Sequence, residues 1–215
     1  MAVLATSQQH ALDWLRRAIV DGELRPGERI GQDEVAARVG LSVVPIREAL
    51  RTLEGEGQVT YVPRRGYFVT ELDFADLAEI YGLRETLEAR AARAAIARLD
   101  DGDVERIEPA AAACARAARE AEVAAALAAN RRFHFALLDA SGERHTLRLI
   151  RLLWDSTEAY RALYYNAAEQ REATVDAHER IVSAVRARDA ERLVEELQRH
   201  RDAALQALAR VLEPS

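Results

Sequence analysis

From Asp73 almost to the end of the chain, apolar side chains recur at spacings of three and four, and no stretch alternates as a strand would. This long helical period is the strongest constraint on the fold. The larger part of the chain has to be an all-helical domain, because nothing in it supplies a sheet for helices to cover. The spacing predicts helices at 73–99, 103–120, 121–140, 143–167, 169–188 and 189–212, forming an antiparallel helical bundle. The alanine-rich run 110–129 is regularly interrupted by Arg and Glu, so it reads as a helix with a close-packed small-residue face.

The segment before Asp73 follows a different plan. Leu12, Leu15 and Ile19 define an amphipathic helix over 8–20 that stops at Asp21-Gly22, and Leu24-Arg-Pro-Gly27 makes a turn. A short helix over 33–39 is closed by Gly40. Ser42 then stands where it would cap a third helix, with Pro45 in the first turn. Two β-rich runs follow, 59–62 and 67–70, separated by Pro63-Arg64-Arg65-Gly66, a hairpin with a basic tip. The expected fold is mainly α: an N-terminal winged helix-turn-helix of three helices plus a β-hairpin over 1–70, a linker at 71–74, and the helical bundle over 75–215.

Composition narrows the partners. All 30 basic residues are arginine, and the net charge is −6, so any nucleic-acid contact has to come from a local patch. Cys114 is the only cysteine, which excludes an internal disulfide and a cysteine-based metal site and fits a reducing compartment. The start lacks a basic segment followed by an apolar run, and no stretch reaches the length of a membrane span. The expectation is a cytoplasmic protein with no membrane partner.

The third helix of such a domain fits the major groove of double-stranded DNA, while the hairpin tip reaches phosphates or the minor groove. Ile46, Leu50 and Leu53 would face the core, leaving Ser42, Val43, Val44, Arg47 and Arg51 for DNA, with 43, 47 and 51 in one row. Arg64, Arg65 and Gly66 at the hairpin tip complete the expected interface. Each arginine alone is ordinary surface; helix order, turn and basic tip together point to DNA.

In the bundle, three of the five histidines sit on apolar faces. His134 is flanked by Leu127, Leu137 and Leu138, His178 by Ile181, Val182 and Val185, and His200 by Leu193 and Leu197. A lone inward histidine is usually a satisfied core residue, but three from three helices of one bundle indicate a shared site. Asn130 lies one turn before His134 on the same face. Neutral imidazoles converging in a core suit zinc, nickel, manganese or iron and leave positions open for a ligand carboxylate. The alternative is that the histidines hydrogen-bond an anionic ligand directly. His10 and His145 read as surface residues, and Trp154, Tyr160, Arg161 and Tyr164 as pocket-lining side chains or plain core.

These residues resemble a known family. Leu24-Arg-Pro-Gly27, Gly40-Leu-Ser42, Pro45-Ile-Arg-Glu-Ala-Leu50, Leu53-Glu-Gly-Glu-Gly57 and Arg64-Arg-Gly-Tyr-Phe-Val69 look like the winged helix of the GntR transcription regulators. Asn130-Arg-Arg-Phe-His134 with Ala140-Ser-Gly142, His178-Glu-Arg-Ile181 and Gln198-Arg-His200 resemble the FCD effector domain of its FadR branch. The resemblance implies a homodimer whose helical domain binds a small molecule, and a metal held by residues at positions 130, 134, 178 and 200. Two departures stand out. The family's usual Arg-Thr after the capping serine is Val43-Val44 here, and valine can meet a thymine methyl but cannot hydrogen-bond guanine, which implies an altered operator. Asn130 replaces the usual aspartate, which implies weaker metal binding and a more cationic site.

Arg84, among Leu83 and Leu87, which are expected to face the core, matches a family arginine that lines the effector pocket; its anionic partner is either a ligand carboxylate or Glu88 one turn on. The function expected is a ligand-responsive, DNA-binding transcription regulator, with repressor favoured over activator. Its effector would be a small carboxylate such as a sugar acid, hydroxy acid or amino-acid derivative. The competing class is a metal-dependent enzyme using the histidine site, against which stands the lack of an H-E-x-x-H motif or a clear general base. An architectural DNA protein would leave the larger domain without a role.

Overall fold

The computed structural model describes residues 6–120 and 122–212. The outer ends of the two expected domains, 1–5 and 213–215, lie outside the described residues, as does Ala121, where the third bundle helix is expected to begin. The chain divides into two compact units, Met1–Leu72 with Trp154–Ala159, and Asp73–Leu153 with Tyr160–Ser215.

In the first unit α1 (Ser7–Val20) starts where the Thr6 hydroxyl accepts the Gln9 N–H at 3.2 Å, satisfying one of the orphan donors of the first turn. Strand β1 (Arg29–Ile30) precedes α2 (Gln32–Val39), which ends at Gly40 with φ +71°, a left-handed conformation that glycine adopts without penalty. Helix α3 (Val43–Gly55) packs on α1 through Leu15, Ile46, Leu50 and Leu53, all fully buried, each contributing about 1.5–3 kcal/mol of burial. Strands β2 (Val59–Val62) and β3 (Gly66–Val69) pair antiparallel, with Tyr61 opposite Tyr67.

Two expectations are corrected here. The wing is a three-stranded sheet in the order β1-β3-β2, with Arg29 opposite Phe68; two residues are too few for β1 to show an alternating pattern. Ser42 occupies the cap position of α3 in extended backbone, yet its hydroxyl makes no capping bond. Pro45 stands at the third helical position and has no N–H, which removes one of the two donors that a capping hydroxyl can take.

The second unit is all helix. Helix α4 (Phe74–Arg98) opens with a reciprocal capping box, in which the Asp73 carboxylate accepts the Asp76 N–H at 2.8 Å and the Asp76 carboxylate accepts the Asp73 N–H at 3.1 Å. Asp100 and Asp103 repeat the device before α5 (Asp101–Glu120). Helix α6 (Val123–Leu138) runs into a 3₁₀ turn at Asp139–Ser141 and is followed by α7 (Arg144–Ser156), α8 (Glu158–Asn166), α9 (Ala168–Arg186) and α10 (Ala190–Leu212). Helix α4 packs on α10 and α6, α5 on α6 and α9, and α9 on α10.

The single helix expected over 143–167 is two helices. At the break, Thr157 donates its hydroxyl to the Trp154 carbonyl at 3.3 Å, giving that acceptor a side-chain partner in place of the next turn. Leu83 is also corrected: it is 48% exposed, because the buried face of α4 runs through Leu77, Tyr81, Arg84, Glu88, Ala91 and Ala95. The charged pair Arg84 and Glu88 occupies core positions that an apolar-only reading passes over. Among the described residues no helix is long and apolar enough to cross a membrane.

Candidate functional site

The centre of the second unit is polar. His134 on α6, His178 on α9 and His200 on α10 meet with ring centroids 5.1–5.2 Å apart in all three pairs, and one nitrogen from each lies within 4.8 Å of the others. Each ring stands inside because its neighbours one and two turns away are core residues: Leu127, Leu137 and Leu138 on α6, Ile181, Val182 and Val185 on α9, Leu193 and Leu197 on α10. Phe133 closes one side, its ring centroid 4.3 Å from that of His178. His10 and His145 are exposed, and Trp154, Tyr160, Arg161 and Tyr164 are buried.

Electrostatics hold the three imidazoles neutral. Burial drives His134 well below the ordinary histidine value, reinforced by His200, Arg84, Arg201 and Arg161. Burial does the same to His178, with His200 and His134 adding to it. His200 is lowered to about 4, first by burial and then by Arg84, with Glu88 pulling the other way. A neutral imidazole keeps one lone pair for a metal or for a donor proton. Neither ring nitrogen of His178 has a hydrogen-bond partner, nor has the buried Oδ1 of Asn130, one turn before His134. Buried polar atoms without protein partners in a native core are met by an ion, a ligand or an ordered water.

Beside the histidines lies a buried ion cluster. Arg84 Nε is 2.9 Å from Glu88 Oε1, so the helical partner, one of two expected for this arginine, is present. The other Glu88 oxygen receives Arg201 Nη1 at 2.8 Å. All three side chains are at most 5% exposed. Arg201 was not among the expected site residues. Its signal was available, since it continues the buried row Leu193, Leu197 at the same spacing of four.

In the first unit Val44, Arg47 and Arg51 are exposed on α3 beside the exposed Ser42, and Val43 is half-buried. Arg64 and Arg65 are exposed at the tip of the β2–β3 hairpin. A groove of ≈ 460 Å³ between these elements is lined by Arg29, Gln32, Val43, Arg47 and Gly66 among others. Arg47 Nε donates to Gln32 Oε1 at 3.3 Å, and Arg29 Nε donates to the Arg65 carbonyl at 2.9 Å. Arg29 is a further basic residue of this face that belongs to the unforeseen strand.

A winged helix whose third helix and hairpin present arginines, joined to a helical unit with a buried polar centre, defines a DNA-binding transcription regulator. Comparison with known proteins agrees. Residues 7–69 match the bacterial regulatory proteins of the gntR family and residues 79–203 the FCD domain. The chain is 30% identical over 200 residues to the HTH-type transcriptional regulator YdhC of Bacillus subtilis, covering 93% of this chain and 89% of that one. It is also 30% identical over 195 residues to the HTH-type transcriptional repressor GlaR of Escherichia coli, covering 87% and 89%. Among solved structures, E. coli McbR/YncC superposes with a TM-score of 0.83 at 23% identity, over 97% of this chain and 99% of that one, a likeness of fold. The chain therefore belongs to the GntR family of regulators and carries an FCD domain. The metal-dependent enzyme reading finds no support in these relationships.

Proposed function

We propose that this regulator senses a small carboxylate in the helical unit and releases its operator in response, acting as a repressor. The observation that carries the sensing site is the convergence of three neutral imidazoles, two buried and His200 half-buried, with ligand atoms within 4.8 Å of one another. His134, His178 and His200, with the amide oxygen of Asn130, would hold a divalent transition metal; the unpartnered Asn130 Oδ1 and His178 nitrogens fit that role. A metal bound there would supply a Lewis-acid site with open positions for a carboxylate. Because Asn130 brings no charge, zinc, nickel, manganese or iron would bind more weakly than with an aspartate, and the site would carry more positive charge for an anionic effector. Arg84 and Arg201, already sharing Glu88, add to that charge.

On the DNA side, Ser42, Val43, Val44, Arg47 and Arg51 of α3 would enter the major groove, with Arg64, Arg65 and Gly66 at the backbone or minor groove. The hydroxyl of Ser42, which makes no capping bond, is available to a phosphate. The active unit would be a cytoplasmic homodimer on a palindromic operator, a reading supported by the exposed Leu83, Leu149 and Leu152 on α4 and α7. Repression is favoured by the similarity to GlaR, itself named a repressor. Effector binding would act by differential affinity for two arrangements of the dimer.

The test is elemental analysis of untagged protein beside a His134→Ala/His178→Ala double variant. About one transition-metal equivalent per chain, lost in the variant, is the expected result. No metal in either protein after exposure to zinc or nickel overturns the metal reading and leaves a histidine-lined organic pocket.

A further inference from the structure

Val44 is 63% exposed, the highest exposure among the large hydrophobic side chains of the described residues, and it stands in the first turn of α3. A single exposed valine on a protein surface is unremarkable by itself. Its surroundings are what distinguish it. Ser42 beside it has a hydroxyl unused in capping, and Arg47 one turn on is exposed. Val43 lines the polar groove together with Arg29 and Arg47, and with Asp33 and Glu34. The apolar tip is thus set among polar and charged side chains of both signs.

We propose that Val44 is a specificity-determining residue that selects thymine in the operator half-site by packing its methyl groups against the thymine 5-methyl. This rests on α3 entering the major groove. The thymine methyl is the one apolar group that base edges present there, and the other three bases offer a hydrogen-bonding or bare edge that valine cannot use. A β-branched residue in a helix holds essentially one χ1 rotamer, so the two methyls are already oriented and little side-chain freedom is lost on contact. Valine would also leave a guanine O6 or an adenine N6 without a partner at that step, so discrimination comes from rejection as much as from attraction.

The experiment selects tight-binding duplexes from a random pool with the full-length protein. It then resynthesises the best duplex with deoxyuridine in place of each thymine in turn, a change that removes the methyl and nothing else. Dissociation constants are measured by fluorescence anisotropy for the wild type, Val44→Ala and Arg47→Ala. One thymine per half-site is expected to lose about fourfold in affinity as deoxyuridine with the wild type, the worth of one buried methyl. Val44→Ala should bind the two duplexes equally. A selected site with no methyl-sensitive thymine, or a deoxyuridine penalty that persists undiminished in Val44→Ala, overturns the proposal. Arg47→Ala separates the two layers. If it weakens binding while deoxyuridine is neutral, only the thymine inference fails; if it leaves binding unchanged, α3 is not the reading element and both fail.

Discussion

The backbone N–H of Arg65 donates to the carbonyl of Val62 at 3.0 Å, closing a turn in which Pro63 comes second and Arg64 third, with Arg64 held at φ +65°. That is the third position of a type II turn, where glycine or asparagine is usual. A left-handed arginine is uncommon, and strain of this kind tends to persist where a side chain is needed in a particular place. Arg64→Gly should therefore raise the thermal stability of the first unit, by about 1 kcal/mol, while weakening DNA binding. Parallel melting and anisotropy measurements check it; a variant that loses stability and keeps its affinity contradicts the assignment of Arg64 to DNA.

Glu88 neutralises two buried guanidiniums at once, Arg84 from its own helix and Arg201 from α10. Glu88→Gln keeps the shape and removes the charge those arginines share. Breaking a buried ion cluster in this way costs about 3–5 kcal/mol, so urea unfolding should move to markedly lower midpoints. A loss below about 1 kcal/mol would mean that other groups already balance the two arginines.

On the surface, two of the three guanidinium nitrogens of Arg90, Nε and Nη2, donate to the Glu143 carboxylate at 2.8 Å each. The hydrogen bond from Arg90 holds the Glu143 carboxyl below its ordinary value. A lowered carboxylate binds fewer protons folded than unfolded, so its contribution is present above about pH 4.3 and fades as pH falls through the folded value. Glu143→Gln should lower the melting temperature slightly at pH 7, and the gap from wild type should close near pH 3. An equal gap at both pH values would show that the charge is not what matters.

Cys114 is buried on α5, and burial pushes its thiol up to about 12. At pH 8 only roughly one thiol in ten thousand is then ionised, and the thiolate is the reactive form. The native protein should react with a disulfide reagent such as DTNB far more slowly than the urea-unfolded chain, which should release one equivalent promptly. Fast native reaction would place Cys114 in an opening part of the bundle.

Much of this was legible in the residues, and the parts that were not share a cause. Periodicity placed the three histidines, because each lies on a face that leucines and valines mark as internal. The same method missed Arg201 and misplaced Leu83, since it assumes that buried positions are apolar, whereas the inner faces of α4 and α10 carry a charged cluster. The break at Thr157 left no glycine or proline to announce it; it rests on a threonine hydroxyl reaching a carbonyl three residues back. Strand β1 is defined by its partner β3 rather than by its own two residues. Pro45 takes away one of the two donors open to the Ser42 hydroxyl, a relation readable from the sequence once the capping donors are counted.

The link from Glu88 to Arg201 spans 113 residues of chain. At translation rates of about 5–20 residues per second, roughly 6–23 s separate the synthesis of the two ends. Residues 1–72 of the winged-helix unit are made before Glu88, but Trp154–Ala159, which belong to the same unit, are made only within that interval. For this interval Glu88 has Arg84 beside it while its second guanidinium is still to be made. A messenger cut or a stalled ribosome between residues 159 and 201 would leave that half-built state: both pieces of the first unit made, and a buried carboxylate with one of its two guanidinium partners missing.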